Sequence, residues 1–406
     1  MDSMQLLKVI GEIHEKFLSE EQSLENENFG KKKRFTKSSV FKVAVIIGIT
    51  FIFASTVLYG TVKIYEKLKP KIVPSYTSNL SSIDESTVWI GTFNLVWNDF
   101  MDNIVKGKIE FEDGIESNLA KELNKRKFTI SELSEKSYFK FSGKAVSKTK
   151  EKIENEIKEK LNAESDILDK VNFDDPNGIV LYAMLKKEFT FLEGFDILNV
   201  RPFNNSEEKY KYFGVNHDNY GLAGKNVEVL FYNSKADFAV KLKTREGEEV
   251  ILYKSNGENK SFEDSFEELV EKTKRYEGDR EFNEADNLVV PFISLSEVIN
   301  YDELCGRMIK GTNYYIQQAL QTVNFELTNM GGSVKSEALL HATMRAYIEH
   351  GRDFLYTSDF LLYLKEEDKT LPYLALKVSD TSILVQSSED EYYREIMEDV
   401  YKVFKK

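Results

Sequence analysis

The chain has 406 residues, of which 41 % are hydrophobic and 30 % charged, enough for one large domain or two medium ones. Its 6 prolines and 21 glycines exclude a collagenous or low-complexity chain, and its 1 cysteine, Cys305, excludes an intrachain disulfide. Residues 1–72 hold 12 Lys/Arg against 8 Asp/Glu, so a chain of net charge −13 carries −17 in the remainder; a body that acidic repels phosphate backbones, and nucleic acid is set aside as a partner.

Residues 1–28 open with Leu6, Ile10, Ile13 and Phe17 at helical spacing, an amphipathic helix followed by the basic run GKKKRFTK. VAVIIGITFIFASTVLYGTV, Val43 to Val62, is 20 residues without a charge, the length that crosses a hydrocarbon core of about 30 Å. More than forty residues precede it, which favours an uncleaved anchor over a signal peptide. Six basic residues stand before the run and four after it, an orientation bias that puts the N-terminus inside and the C-terminal bulk outside. The expected organisation is a cytoplasmic helix and basic stop over 1–42, a single transmembrane helix over 43–62, a Ser/Thr-rich stalk with two prolines over 63–87, and an extracytoplasmic domain over 88–406. Enrichment in Lys, Asn, Ile and Phe with few Pro and Ala matches low-GC bacterial composition. In that setting the sequons at Asn79, Asn204 and Asn259 read as chance.

In the body, VWIGTFNLVWNDFMDNIV carries helical apolar spacing (Phe93, Val96, Trp97, Phe100, Ile104), and Trp89 and Trp97 are expected to pack in the core. KTKEKIENEIKEKLNAESDIL is a charged helix with Ile153, Ile157 and Leu161 on one face. IVLYAML, NVEVLFYN, DFAVKLKT and EVILYK are strands, rich in β-branched and aromatic residues. FEDSFEELVEKTKRY returns to a helix with Phe262, Phe266 and Leu269 inward. DELCGRMI and NYYIQQALQTV read as a further helix pair. DFLLYLKEE, PYLALKV and SILVQ read as strands, and a last helix carries Tyr392, Ile396, Val400 and Phe404. Irregularly interleaved helices and strands indicate an α+β fold.

No phosphate-loop, dinucleotide, zincin or hydrolase motif occurs. His341 and His350 are nine apart, on opposite sides of any helix. Cys305, in INYDELCGRMI, reads as a small residue in a packing contact, and Asp174–Asp175 and Glu389–Asp390–Glu391 as solvated turns or helix starts. No catalytic residue, cofactor or metal is assigned.

Taken in order, VLYAMLKKEFTFLEGFD, VEVLFYNSKADFAVKLKTREGEE, LVVPFISLSEVINYDEL, TVNFELTNMGG and FLYTSDFLLYLKEEDKTLPYLALKV resemble successive pieces of the serpins over roughly residues 175–385. The resemblance implies a serpin-like α+β fold of mixed helices and large antiparallel-rich sheets. It also implies a loop after Gly331 of the kind that in serpins is cut and then inserted into a sheet as a new strand. Insertion requires alternation: Gly332, Val334, Ser336 and Ala338 share one face, and Ser333, Lys335 and Glu337 the other. A serpin-length loop counted from Gly331 puts the scissile bond at Arg345-Ala346, which suits a trypsin-like protease. The departures are Asn329 and Met330 in place of the usual pre-hinge residues, the bulk of Leu339, Leu340 and Tyr347, Phe191 where serpins carry a tryptophan, and Asp359-Phe360 in place of Pro-Phe. The competing reading of 329–352 is a turn followed by a helix capped by Ser336 and stopped by Gly351.

The resulting expectation is a membrane-anchored extracytoplasmic protein, not an enzyme, whose serpin-like domain binds or scaffolds without an inhibitory cycle. Its partners are membrane lipid through 43–62 and a protease or another protein. The alternatives are an inhibitor of a trypsin-like protease cut at Arg345-Ala346, and an enzyme whose site carries no recognised motif.

Overall fold

The structure, a computed structural model, describes residues 69–387 apart from 74, 166–167, 170, 216–219, 258–259 and 333–350. The expected leader helix, membrane span and C-terminal helix lie outside the described residues, as do all four histidines. Among the described residues no helix is long and apolar enough to cross a membrane.

In chain order these residues form β1 (Lys71–Ile72), β2 (Thr87–Ile90), α1 (Thr92–Phe100), α2 (Asn118–Leu123), β3 (Tyr138–Ala145), α3 (Ser147–Leu161), β4 (Asp175–Leu185), β5 (Phe189–Thr190), β6 (Asp196–Arg201), β7 (Tyr210–Val215), β8 (Val227–Ser234), β9 (Asp237–Lys243), β10 (Glu248–Lys254), α4 (Phe262–Arg275), β11 (Asn287–Pro291), β12 (Ile293–Asn300), β13 (Tyr315–Thr328), β14 (Gly331–Gly332), β15 (Asp353–Leu355), β16 (Phe360–Glu366) and β17 (Leu374–Val378). Three sheets result. One runs β1-β2-β17-β16-β10-β9-β8, one runs β15-β11-β7-β6, and the central one holds β3-β4-β13-β14-β5 with β12 on the far side of β13. Most pairings are antiparallel, as expected. The exceptions are β1 with β2, β11 with β15, and β4 with β13.

Alternation explains the central sheet. Ile179, Leu181, Ala183 and Leu185 of β4 enter the main core, while Val180, Tyr182 and Met184 face the other way. That second face would be wet were it not covered by α3, whose Ile153, Ile157 and Leu161 recur at spacing four and pack on Phe139, Val180, Tyr182, Met184 and Leu320. Ser261 caps α4, its hydroxyl accepting from Asp264 N at 3.0 Å, and Phe262, Phe266 and Leu269 are buried.

Several expectations need correction. NYYIQQALQTV is not a helix: it is most of β13. Its core-facing Ile316, Ala319 and Val323 are spaced three and four apart because a bulge between Ile316 and Gln318 shifts the alternation by one residue, which imitates a helical period. DELCGRMI forms only a single turn of tight helix at Asp302–Leu304. SILVQ contributes isolated bridges at Leu384 and Gln386 rather than a strand. Val88, Trp89 and Ile90 belong to a strand whose apolar run is buried on both faces, which periodicity cannot tell from helix. Within the expected stalk, Val73, Tyr76, Leu80 and Ile83 are buried in the main core.

Candidate functional site: the mouth of the central sheet

β4 and β13 are neighbours in the central sheet although more than a hundred residues separate them, and they run parallel. At their upper end a two-residue turn, Asn329-Met330, returns the chain as β14 between β13 and β5, the short strand that follows β4. Gly332 pairs with Leu327 of β13 on one side and with Phe189 of β5 on the other, antiparallel to both. Below this point the two long strands touch directly, Val323 opposite Leu185. Leu327 and Phe189 lie four residues further along each chain. The strands therefore keep the same alignment where β14 parts them as where they meet.

The turn is stitched into place by its backbone. Phe191 N donates to Met330 O at 2.9 Å, Phe195 N to Asn329 O at 2.8 Å, and Asn329 Nδ2 to Phe195 O at 3.0 Å. Asn329, a departure noted in the sequence, thus holds Phe195 through both its backbone carbonyl and its side-chain nitrogen. Phe191 fills the place expected for a tryptophan, packed edge-on against Phe189 and Phe195 at ring separations of 6.2 and 4.8 Å. Gly331 has φ +138°, and a Cβ there would run into the Phe189 carbonyl oxygen.

Beneath the seam, Gln321 is fully buried and satisfied. Its Nε2 donates to Thr92 Oγ1 at 2.6 Å, and Tyr301 OH donates to its Oε1 at 2.7 Å. At the lower end, Tyr315 OH donates to Asp175, whose other oxygen accepts from Asn177 N at 2.9 Å. Tyr315 is the main cause that holds the Asp175 carboxyl below the usual carboxylate range.

Beside the mouth stands a buried ionic cluster that motif reading missed. Lys187 Nζ lies 2.5 Å from Glu248 Oε1 and 2.6 Å from Glu366 Oε1, with Tyr373 OH donating to Glu248 Oε2 at 2.8 Å. The available signal was Glu366, a carboxylate in phase with the core residues Leu362 and Leu364.

Arg352, which precedes β15, is held by a cluster of its own. Its Nη2 lies 2.7 Å from Asp286 Oδ2, its backbone N donates to Asp286 Oδ1 at 2.8 Å, and Nη1 donates to Asp279 O at 2.5 Å. Asp286 is almost fully buried. Removing the guanidinium leaves that carboxylate with only backbone donors, so Arg352→Ala is expected to lower unfolding free energy by about 3 kcal/mol. The double change Arg352→Ala with Asp286→Asn should lose clearly less in the same urea titrations.

Of the sequence-predicted site residues, the structure brings Gly331 and Gly332 to the mouth; Val334, Ser336, Ala338, Arg345 and Ala346 lie outside the described residues. Cys305 is half-buried, and burial pushes its thiol up to about 11, away from the thiolate a nucleophile needs. Asn204, one of the sequons, has its amide committed to Asp359 and to Ser379 O.

No family model matches the chain, and no curated protein matches it. Among solved structures it is similar to Serpin48 of the insect Tenebrio molitor, at 13 % identity and TM-score 0.43, over 76 % of this chain and 95 % of that one. It is also similar to thyroxine-binding globulin in complex with thyroxine, at 11 % identity and TM-score 0.45, over 74 % and 94 %. A serpin from the trematode Schistosoma haematobium aligns at 11 % identity and TM-score 0.46, over 76 % and 97 %.

Proposed function

We propose that this chain is a serpin-like protein that takes up its own cut loop as a strand, and that it acts on a trypsin-like protease through Arg345-Ala346. The observation that carries the reading is the shared alignment of β4 and β13 above and below the mouth. A strand entering there would part the two without sliding either along the other.

Continuing the pairing of β14 downward sets Val334 opposite Phe325, Ser336 opposite Val323 and Ala338 opposite Gln321, all on the core face. Ser333 then meets Glu326 and Lys335 meets Asn324, both exposed residues of β13, so the Lys335 charge stays in water, while Glu337 meets the half-buried Thr322. Leu339 comes opposite Leu320, where α3 covers the sheet and an apolar side chain is wanted. On the β4 side the same register brings Arg345 level with Pro176, at the far end of that strand. The stretch from Gly332 to Arg345 is thus as long as the seam it would fill. This favours an inserting loop over the non-inhibitory role expected from the departures in the hinge.

The test is a brief trypsin treatment of the full chain beside Arg345→Ala. A first cut after Arg345 with a rise in melting temperature supports the proposal. A cut there without a rise, or a first cut elsewhere, refutes it.

The membrane address is a separate part of the reading and rests on the 20 uncharged residues from Val43 to Val62. The full chain should stay in the pellet after an alkaline carbonate wash, and a chain lacking 43–62 should leave it. Release of both would remove the anchor.

A further inference from the structure

The ionic cluster at the mouth is unbalanced. Glu248 and Glu366 sit directly opposite each other on β10 and β16, an arrangement of like charges that opposes strand pairing unless something bridges it. Lys187 is the bridge, and it is one ammonium for two carboxylates. Side-chain exposures are 2 % for Glu248, 9 % for Glu366 and 14 % for Lys187, so water does little to make up the difference. The remaining partners are neutral: Tyr373 OH on Glu248, Ser137 Oγ accepting from Lys187 at 2.7 Å, and Ser134 N donating to both Glu366 oxygens at 3.1 and 3.0 Å. Thr244 Oγ1, from the neighbouring turn, is occupied with the Glu248 backbone at 2.8 Å.

The position of the bridge matters as much as its charge. Lys187 lies between the last residue of β4 and the first of β5, in the short link where the central sheet changes from closed seam to open mouth. An open cleft of about 830 Å³ leads to the cluster from solvent. Its other charged walls are Lys136 and Lys186, Glu188 and Glu246, and Glu367, Asp368 and Lys369 of the turn after β16. Protons from bulk water therefore have a path to the buried carboxylates.

We propose that Lys187, clamped by ionised Glu248 and Glu366, locks the mouth of the central sheet, and that one proton taken up from solvent on a carboxylate oxygen of Glu248 loosens it, so that strand entry is slow at neutral pH and fast at acid pH. With Glu248 ionised, Lys187 is held by two buried carboxylates, and freeing it would leave both without a counter-ion. With Glu248 neutral, the 186–188 link keeps only the ion pair to Glu366, and freeing Lys187 from the body costs less. This rests on the strand-accepting reading above. Burial is the largest cause pushing the Glu248 carboxyl above its ordinary range, and that is the direction the proposal needs.

The experiment uses the uncut full chain and, as probe, a synthetic peptide of residues 333–344, whose uptake is followed by the rise in melting temperature. Uptake by the unaltered protein should be about tenfold faster near pH 5 than near pH 7.5, the change that one pH-unit-equivalent of differential stability produces. Glu248→Gln, neutral at both, should be fast at both. Tyr373→Phe, which removes a donor to the ionised carboxylate, should keep the pH dependence and move its midpoint upward; it also serves if Glu248→Gln does not fold. A pH difference that survives unchanged in both variants overturns the lock and leaves the strand-accepting reading intact. Uptake by the unaltered protein that is equal at both pH values does the same. No uptake at either pH, with no stabilisation on cutting at Arg345, removes the strand-accepting reading and the lock with it.

Discussion

Gly331→Val should leave the protein folded and abolish the rise in melting temperature that follows cutting at Arg345. At φ +138° a β-branched residue is strained by roughly 1–3 kcal/mol before any clash is counted. The Cβ would also meet the Phe189 carbonyl oxygen, and Phe189 belongs to the strand that β14 must pair with. The cheapest response is to give up β14. Only two residues of pairing are lost, so unfolding free energy in urea should fall by no more than about 2 kcal/mol. The effect on the loop is far larger, because the start of the inserted strand no longer lies in the mouth. In the unaltered protein, filling the seam buries Val334, Ala338, Leu339 and Leu340. At about 1.5–3 kcal/mol for each large apolar side chain and about 2 °C per kcal/mol in a domain of this size, the gain should be at least about 10 °C. A Gly331→Val protein that gains as much would show that β14 has no part in entry.

Lys187→Met is the second large effect. It removes the only cation within ion-pair distance of the buried Glu248 and of Glu366 among the described residues. Breaking a buried pair from one side costs about 3–5 kcal/mol, since the orphaned charge remains out of water. The loss should depend on pH with a definite sign. Glu248 already has a raised folded-state pKa, and without Lys187 it rises further. A carboxyl whose folded pKa exceeds its unfolded one contributes stability below the unfolded pKa and forfeits it as pH climbs through the folded pKa. The deficit of Lys187→Met against the unaltered protein is therefore full near neutral pH and shrinks on acidification. Urea unfolding at a series of pH values measures it, and a deficit that is flat or grows toward acid would contradict the burial and pairing described.

The same two sites show what could be read from the chain and what could not. The two glycines at the mouth were legible, because side-chain period and backbone permissiveness are local properties; the alternation through Ala338 and the solitary Arg345 lie outside the described residues. The amphipathic α3 and α4 and most strands of the seven-stranded sheet were legible for the same reason. β13 was misread because one bulge at Gln317 changes the spacing of its core residues, and nothing local marks a bulge whose cause is the partner strand. Trp89 was placed on a helix because a strand buried on both faces has no period to find.

The cluster of Lys187, Glu248, Glu366 and Tyr373 could not be found by spacing at all. Its members come from four separate segments and meet only when β10, β16 and the β4–β5 link are assembled. By itself the sequence determined an acidic α+β body behind an uncharged run of spanning length, with a segment whose alternation suits a strand. The parallel contact of β4 and β13, on which the proposed uptake of that segment rests, came only from the tertiary structure. Such pairing between distant segments depends on how the whole core packs, and no local pattern carries that information.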